Sequence, residues 1–564
     1  MPNDLKQVQD LLDKARSGFS GTRELFRLGT EILKNHFREA GRQFLELGHL
    51  PAVNQAINRS GKIEEWFELV LKLIQLSNYD FGALFKQRSD TYGEKILFRS
   101  FQGDNVLELN YGQAWTQVQF IGRVLLSKKH ANLTVGIFTQ NSVKGALVDL
   151  ACLAFRIRVV PISINLSPDH IQYVINHSGI THLFLGDQKS HHALKEAKLN
   201  LKNIQLIHLN NRSSNSLPGI EWNDFMNPNL ELPDINKKRS LDSTATILYT
   251  SGTTDYPKGI IFTQTNIISK RFARALALPD IGPHDKFLCY LPLYHTFGRF
   301  FELLGSIFWG ASYTFTESTS LNALIKDFKR AEPTIFISIP KRWIQIQELV
   351  YSRISRERSG PDEIKKCLKE LTGGSLKWGL SAAGYLDPDT FRFFQDNGIQ
   401  LLSGYGMTEA TGGITMTPPG NYLPDSVGIK LPGVELLLAE DNELLMRGPY
   451  ISPGYLKDDI GGSYSQGWFH SGDIFKIKKR HYFIIDRKKE IYKNTRGQTI
   501  SPQKIENLFQ DFEAVKSVFL VGDGLNYNTV LIYPEPDKSK FDMLNFSAEE
   551  KNTYFSSLVF SVNN

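Results

Sequence analysis

The sequence predicts an α/β protein: a large multi-layer α/β domain with doubly wound subdomains, a small α+β C-terminal domain and a helical extension at the N-terminus. Three observations carry that expectation. A chain of 564 residues with 41% apolar content exceeds one ordinary core, so two or more domains are expected. From about Asn78, short β-branched runs alternate with amphipathic helical segments. After Asp486 a basic turn, DRKKE, leads into two apolar strands of a different texture.

The extension covers residues 1–77. Leu25, Leu28, Ile32, Phe37, Ala40, Phe44 and Leu47 recur at three-to-five-residue steps, as do Ile63, Trp66, Val70 and Ile74, which is the helical period. Such a segment serves either as a packed cap or as a membrane-surface or partner helix. The large domain is assigned to residues 78–485, where LTVGIFTQ, RVVPIS, THLFLGD, IQLIHLN, ATILYTS, PTIFISIP and IQLLSGYG each have the texture of a buried strand. Residues 211–243 and the charged stretch 352–374 are expected to be surface connections. The small domain takes residues 486–564, with SVFLVGDG and NTVLIYPE joined around a glycine-containing turn. It closes on SSLVFSVNN with neither a cap nor a closing strand, so this domain is expected to be incomplete. No repeat of solenoid or propeller period is visible.

Composition narrows the function. The net charge of +6 comes from 65 basic and 59 acidic residues, which suits an anionic small molecule and does not favour nucleic acid. Cys152, Cys289 and Cys367 are far apart, so neither a disulfide framework nor a zinc site is indicated. Residues 1–20 lack the apolar core of a signal peptide, and the most apolar stretch, 145–164, is interrupted by Asp149, Arg156 and Arg158. A cytoplasmic location is expected, with peripheral membrane contact left open.

The stretch TSGTTDYPKG begins at Thr250. Ser251, Thr253 and Thr254 supply hydroxyls and backbone donors, Gly252 and Gly259 permit close approach, and Lys258 adds a positive charge. It follows a strand, as a phosphate loop does, yet it matches neither the G-x-x-x-x-G-K-[ST] nor the G-x-G-x-x-G order. Ser381 in GLSAAG is off by one residue from a nucleophile elbow. His295 has no carboxylate or histidine at metal-ligand spacing.

TSGTTDYPKG resembles the phosphate loop of the adenylate-forming (AMP-binding) superfamily, and other stretches match in that family's order. LPLYHTFGR (Leu291 to Arg299) is similar to its P-L-x-H-x-x-G segment, GLSAAGYL to its adenine loop, and GYGMTEATGG to its Y-G-x-T-E motif. ELLMRGPYISPGY and GWFHSGDIF resemble the ribose-motif region, and DRKKEIYKNTRGQTISPQKIE resembles the hinge motif in a form closest to long-chain fatty acyl-CoA synthetases. The resemblance spans roughly residues 80–535. It implies a ligase using ATP, Mg2+ and CoA on a fatty acid through an acyl-adenylate. A carrier protein as acyl acceptor, or a catalytically impaired nucleotide-binding relative, are the alternatives.

The same resemblance implies the roles. Thr250, Ser251, Gly252, Thr253, Thr254 and Lys258 would hold phosphates, Gly384 and Tyr405 the adenine, Asp473 the ribose and Arg487 the ribose or phosphate. Thr408 would contact the α-phosphate, Glu409 would bind magnesium, and His295 would lie beside the substrate carboxylate and acyl channel. Lys489 marks the hinge, and Lys493 on the hinge strand is expected to act in thioester formation. The aromatics Phe297, Phe300, Phe301, Phe308 and Trp309 either wall an acyl tunnel or pack a core. Three positions depart from the family pattern. Asp255 stands where glycine is usual and is expected to face solvent and weaken ATP binding modestly. The C-terminal adenylation lysine has no match after Pro536. Arg156 replaces a glycine before a strand.

Overall fold

The computed structural model describes residues 3–19, 21–127, 132–210, 217–227, 240–250, 256–354, 360–457, 464–493, 499–506, 509, 515–523, 527–534 and 556. Two compact units emerge: Met1–Pro424 with Gly428–Glu435 and Gly448–Gly461, and Asp425–Val427 with Leu436–Arg447 and Gly462–Asn564.

Five helices open the chain: α1 (Asn3–Ser17), α2 (Thr22–Lys34), α3 (Arg38–Phe44), α4 (Pro51–Ser60) and α5 (Ile63–Ser77). Apart from half-buried Ile63 at the start of α5, their periodic apolar residues are buried, with one exception. Phe37 is 39% exposed because α2 ends at Lys34, His36 turns the backbone left-handed (φ 54°), and Phe37 becomes the cap ahead of α3. The bundle packs on the Gln264–Ala277 helix, where Asn58 Nδ2 donates to the Leu276 carbonyl (2.9 Å). Gln55 Nε2 likewise donates to Asp280 (2.7 Å). Of the two roles open from sequence, the packed cap is the one formed.

His49 is fully buried in this bundle, with Nε2 3.1 Å from the Tyr92 hydroxyl. Burial, then the Arg88 charge, holds its pKa well below the usual histidine value, so it is neutral when folded. Between that lowered pKa and the unfolded value near 6.5, the unfolded chain binds the extra proton. Stability should therefore fall as the pH drops below about 6.5, by at most ~1.4 kcal/mol per pH unit from this group. Denaturation midpoints of His49→Gln against pH should show a shallower acid slope; an unchanged slope would refute the assignment.

Arg156 is explained by its backbone. It occupies the left-handed region (φ 54°), where glycine is favoured, between the Val143–Ala154 helix and the next strand. The guanidinium offsets that strain: Nε donates to Asp80 (2.8 Å) and Nη2 to the Asn78 side chain (3.0 Å). Asp80 in turn caps α6 (Phe81–Tyr92), accepting from the Ala83 amide (2.9 Å). Arg156→Gly and Arg156→Ala both break a buried ion pair and should each cost about 3 kcal/mol. Alanine should cost about 1 kcal/mol more, because its Cβ meets the left-handed strain. Equal unfolding free energies for the two variants would show that strain plays no part.

Two seven-stranded sheets form the larger unit. One contains β3 (Thr134–Phe138), β4 (Arg158–Pro161), β5 (His182–Leu185), β6 (Gln205–His208), β7 (Ile220–Glu221), β8 (Thr244–Thr250) and β9 (Lys258–Thr263), in the order β7-β6-β5-β3-β4-β8-β9. The other is built from β1 (Ile96–Gln102), β2 (Asn105–Asn110), β10 (Lys286–Cys289), β11 (Ser312–Phe315), β12 (Ile335–Ser338), β13 (Trp378–Ser381) and β14 (Gln400–Ser403), in the order β14-β13-β12-β10-β11-β1-β2. Both are parallel except for one antiparallel edge strand, β9 or β2. Each winds in opposite senses from an inner strand, β3 or β10, and such reversals open a crevice at the strands' C-terminal ends. All seven apolar runs singled out from sequence fall on strands of these two sheets.

The charged stretch 352–374 differs from expectation, since Pro361–Leu371 is a helix. Pro361 at its start, Asp362 and Glu363 in the first turn and Lys369 in the last suit a helix, and Cys367, Leu368 and Leu371 form its buried face. In the smaller unit the strands Glu443–Arg447, Trp468–Lys478 and His481–Arg487 pair antiparallel, and Val515–Val521 pairs with Thr529–Pro534 as expected. All three cysteines are buried and free. Among the described residues no helix is long and apolar enough to cross a membrane.

Candidate active site

The two points of strand reversal meet through one side chain. Asn141, just after β3, donates from Nδ2 to the Leu291 carbonyl (2.7 Å) and accepts at Oδ1 from the Leu293 amide (3.0 Å), just after β10. This clamp holds the segment that carries His295. Nothing in the sequence marked Asn141, because its partners lie 150 and 152 residues away.

The His295 ring stacks on Phe297 (6.0 Å, 11° between planes). Its Nδ1 accepts a bond from the Phe297 amide (3.4 Å), which places the proton of the neutral ring on Nε2. Desolvation by the surrounding protein lowers its pKa, so the ring is neutral at pH 7. The aromatics beyond it form core. Phe300, Phe301, Phe308 and Trp309 are at most 2% exposed and pack on Phe262, Phe272 and Phe287; only Phe297 stays half-buried.

The phosphate-loop candidate is the connection of the β8–β9 hairpin, in which Thr250 and Lys258 face each other. Ser251, Gly252, Thr253, Thr254 and Asp255 lie outside the described residues. Tyr256 packs at a tilt on Tyr173 (4.8 Å, 34°), Tyr173 stacks on His177 (4.9 Å), and His177 Nδ1 lies 2.8 Å from the Tyr249 hydroxyl. Both arms of the hairpin are thereby fixed to the Pro168–Ser178 helix.

In GYGMTEATGG, Gly406–Met407 pairs with Gly412–Gly413, and the tight turn between them presents Thr408 and Glu409, both half-buried. Glu409 Oε1 accepts from the Tyr455 hydroxyl (2.9 Å). Tyr455 is carried by a segment running along β9, where the Ile261 amide donates to Gly454 (3.0 Å) and the Leu456 amide to Gly259 (2.8 Å). The Lys258 ammonium lies 5.5 Å from the centre of the Tyr455 ring. Lys258, Tyr455 and Glu409 are thus brought together, and Tyr455 is the member that sequence reasoning missed, although ELLMRGPYISPGY, which contains it, resembles a family segment. Tyr405, 8% exposed, is anchored by its amide on Thr415 Oγ1 (3.1 Å). Gly384 is exposed in the loop after β13. Ser381 at the end of β13 is buried, and among the described residues its hydroxyl has no hydrogen-bond partner that could act as a base.

In the smaller unit, Asp473 and Arg487 face each other across paired strands, with Nε 3.9 Å from Oδ1. Buried Glu443 supports the adjoining turn: it accepts from the Gly472 amide (2.9 Å) and from Lys488 Nζ (2.8 Å). Burial pushes the Glu443 carboxyl up, but these bonds, with His470, outweigh it and leave the pKa below the usual value. Hydrogen bonds to Asp441 and Glu443 raise Lys488 to about 12. Lys489 is exposed. Lys493 sits on the short strand Tyr492–Lys493, and its side chain lies outside the described residues.

Comparison with known proteins bears on the family and the fold. The chain is 28% identical over 515 residues to long chain acyl-CoA synthetase 7, peroxisomal, of Arabidopsis thaliana, covering 79% of this chain and 72% of that protein. It is 29% identical over 494 residues to human long-chain-fatty-acid–CoA ligase 6, covering 76% and 70%. The fold is that of O-succinylbenzoate coenzyme A synthetase from Bacillus subtilis, solved with ATP and magnesium (TM-score 0.65, 20% identity, 83% of this chain and 92% of that one). The family model for AMP-binding enzymes matches residues 85–456, and the chain therefore belongs to the AMP-binding enzyme family.

Proposed function

We propose that this chain activates a medium- or long-chain fatty acid with ATP, through an acyl-adenylate, and passes the acyl group to CoA. The observation that carries the proposal is the convergence of Lys258, Tyr455 and the Thr408–Glu409 turn beside the β8–β9 hairpin. The relatives named for long-chain acids support the substrate class.

A carboxylate is a poor electrophile, and attack of its oxygen on the α-phosphorus of ATP remedies this. The bond from the α-phosphorus to the bridging oxygen breaks, pyrophosphate leaves, and the acyl-adenylate carries AMP as a good leaving group. A thiolate then attacks the acyl carbon and expels AMP. Positioning and charge stabilisation dominate such a displacement. Thr250 and Lys258, with Ser251, Gly252, Thr253 and Thr254, are assigned to the phosphates, Thr408 to the α-phosphate, and Tyr405 and Gly384 to the adenine. Glu409 offers hard oxygen donors that suit Mg2+, which would neutralise triphosphate charge there. Neutral His295, with its proton on Nε2, can donate to the substrate carboxylate. Asp473 and Arg487 are assigned to the ribose and phosphate, and Lys493 to thioester formation. A cytoplasmic site of action with peripheral contact to membranes fits a substrate that partitions into bilayers.

The test is pyrophosphate release from Mg-ATP with straight-chain acids from hexanoate to stearate, with and without CoA. Acid-dependent release that yields acyl-CoA is expected. ATP binding without release for any acid would overturn the proposal, and release with no transfer to free CoA would point to a carrier protein as acceptor.

A further inference from the structure

The Gln264–Ala277 helix is enclosed by the larger unit, and one face of it carries three basic side chains. Lys270, Arg271 and Arg274 fall within an arc of about 100° at helical spacing and are 0%, 2% and 2% exposed. Lys270 Nζ donates to the carbonyls of Gly413 and Ala410 and lies 3.9 Å from the centre of the Tyr450 ring. Arg274 stacks on Phe301 at 4.0 Å, but among the described residues its Nε and Nη1 have no hydrogen-bond partner. All three guanidinium nitrogens of Arg271 lack one.

The buried carboxylates of the neighbouring segment do not balance this charge. Asp149 is committed to Arg299, with two bonds of 2.6 and 2.7 Å. Burial raises the pKa of Glu302 well above the usual carboxylate range, so it is neutral, beside Cys289. Burial first, then the charges of Arg274 and Arg271, lowers the pKa of Lys270, so the three groups repel one another. Two enclosed guanidinium groups with unmade hydrogen bonds and, among the described residues, no paired anion form an unbalanced set that an entering anion would complete. The planar forks of two arginines suit a carboxylate in particular.

The position of the cluster says which anion. Arg274 Nη2 lies 2.8 Å from where a Cβ on Gly412 would stand, and Thr296 Cβ lies 3.8 Å from the same point. Only glycine, here with φ 91°, fits between them. The cluster therefore sits behind Thr296, the neighbour of His295, and behind the strand that follows Glu409. We propose that Lys270, Arg271 and Arg274 form an anion subsite for the far end of the acid substrate, so that the chain prefers α,ω-dicarboxylic acids over methyl-terminated acids of equal length. This rests on the acid-activating reading above and narrows its substrate class.

Dodecanedioate and dodecanoate are the probes, with the full chain. In pyrophosphate release, kcat/KM for the diacid should exceed that for the monoacid by at least about 10-fold, and Arg271→Met should reduce that ratio at least about 10-fold. Arg274→Met should act in the same direction, and Arg271→Lys should restore part of the ratio. A parent ratio at or below one, or a ratio unaltered in both methionine variants, overturns the proposal. A raised KM for ATP in R271M with the ratio unaltered would assign the cluster to nucleotide phosphate and equally overturn it. If neither acid supports release, the acid-activating reading fails, and calorimetry decides the subsite by itself: dodecanedioate bound by the parent and at least about 10-fold more weakly by R271M supports it, whereas equal or no binding refutes it. Loss of a buried unpaired charge should raise the thermal midpoint of R271M, which separates lost recognition from lost folding; Arg271→Gln serves as the second variant.

Discussion

Asp149→Ala is expected to lower the unfolding free energy by about 4 kcal/mol, the largest stability effect anticipated for a single side chain here. Arg299 is fully buried and grips Asp149 through Nε (2.7 Å) and Nη2 (2.6 Å), while Nη1 donates to Thr246 Oγ1 (2.7 Å). Thr246 in turn donates to the Val159 carbonyl (2.7 Å). One guanidinium thus joins the Phe297–Leu303 π-helical turn, the Val143–Ala154 helix, β8 and β4. Removing Asp149 leaves the cation buried with most of its bonds broken, and the cost comes from that orphaned charge more than from the pair itself. The double variant Asp149→Ala/Arg299→Met should therefore recover part of the loss. Chemical denaturation of the three proteins tests this, and an Asp149→Ala variant within about 1 kcal/mol of the parent would refute it. Activity should suffer as well, since the Arg299 amide donates to the His295 carbonyl (3.0 Å) and the same turn sets the ring.

How much of this was legible in the sequence depended on how local each cause is. Buried parallel strands are short apolar runs, so THLFLGD or PTIFISIP declared themselves without tertiary knowledge. Pro361–Leu371 did not, because its apolar face is only Cys367, Leu368 and Leu371 and the intervening charges mask the period. Arg156 looked anomalous because its explanation, a left-handed backbone held by Asp80, requires two segments 76 residues apart. The motif residues Thr408 and Glu409 were visible through their spacing, but what positions them was not. Tyr455 reaches Glu409 because residues 452–456 lie along β9, a pairing with no periodic signal. The aromatic run around Trp309 was equally compatible with a tunnel wall and a core, and its packing against Phe272 and Phe287 is visible only in the fold.

Glu409→Gln should reduce acid-dependent pyrophosphate release by about 10^2 to 10^3-fold, the largest effect on rate anticipated for a conservative change. The amide keeps the shape and can still accept the Tyr455 hydroxyl bond, seen at 2.9 Å, so the fold should be untouched and the thermal midpoint unaltered. What is lost is the negative charge, and with it the hard donor proposed to hold Mg2+. Tyr455→Phe separates positioning from charge. It leaves the carboxylate but frees its rotamer, so a loss of only about 10-fold is expected, about what one hydrogen bond to a charged group contributes. Raising Mg2+ should restore Tyr455→Phe in large part and Glu409→Gln hardly at all, because added metal can refill a loosened donor but cannot replace a missing charge. If Glu409→Gln kept a rate within about 10-fold of the parent, or if high Mg2+ rescued both variants equally, Glu409 would not be the metal-holding carboxylate, and its bond to Tyr455 would serve only to fix the turn.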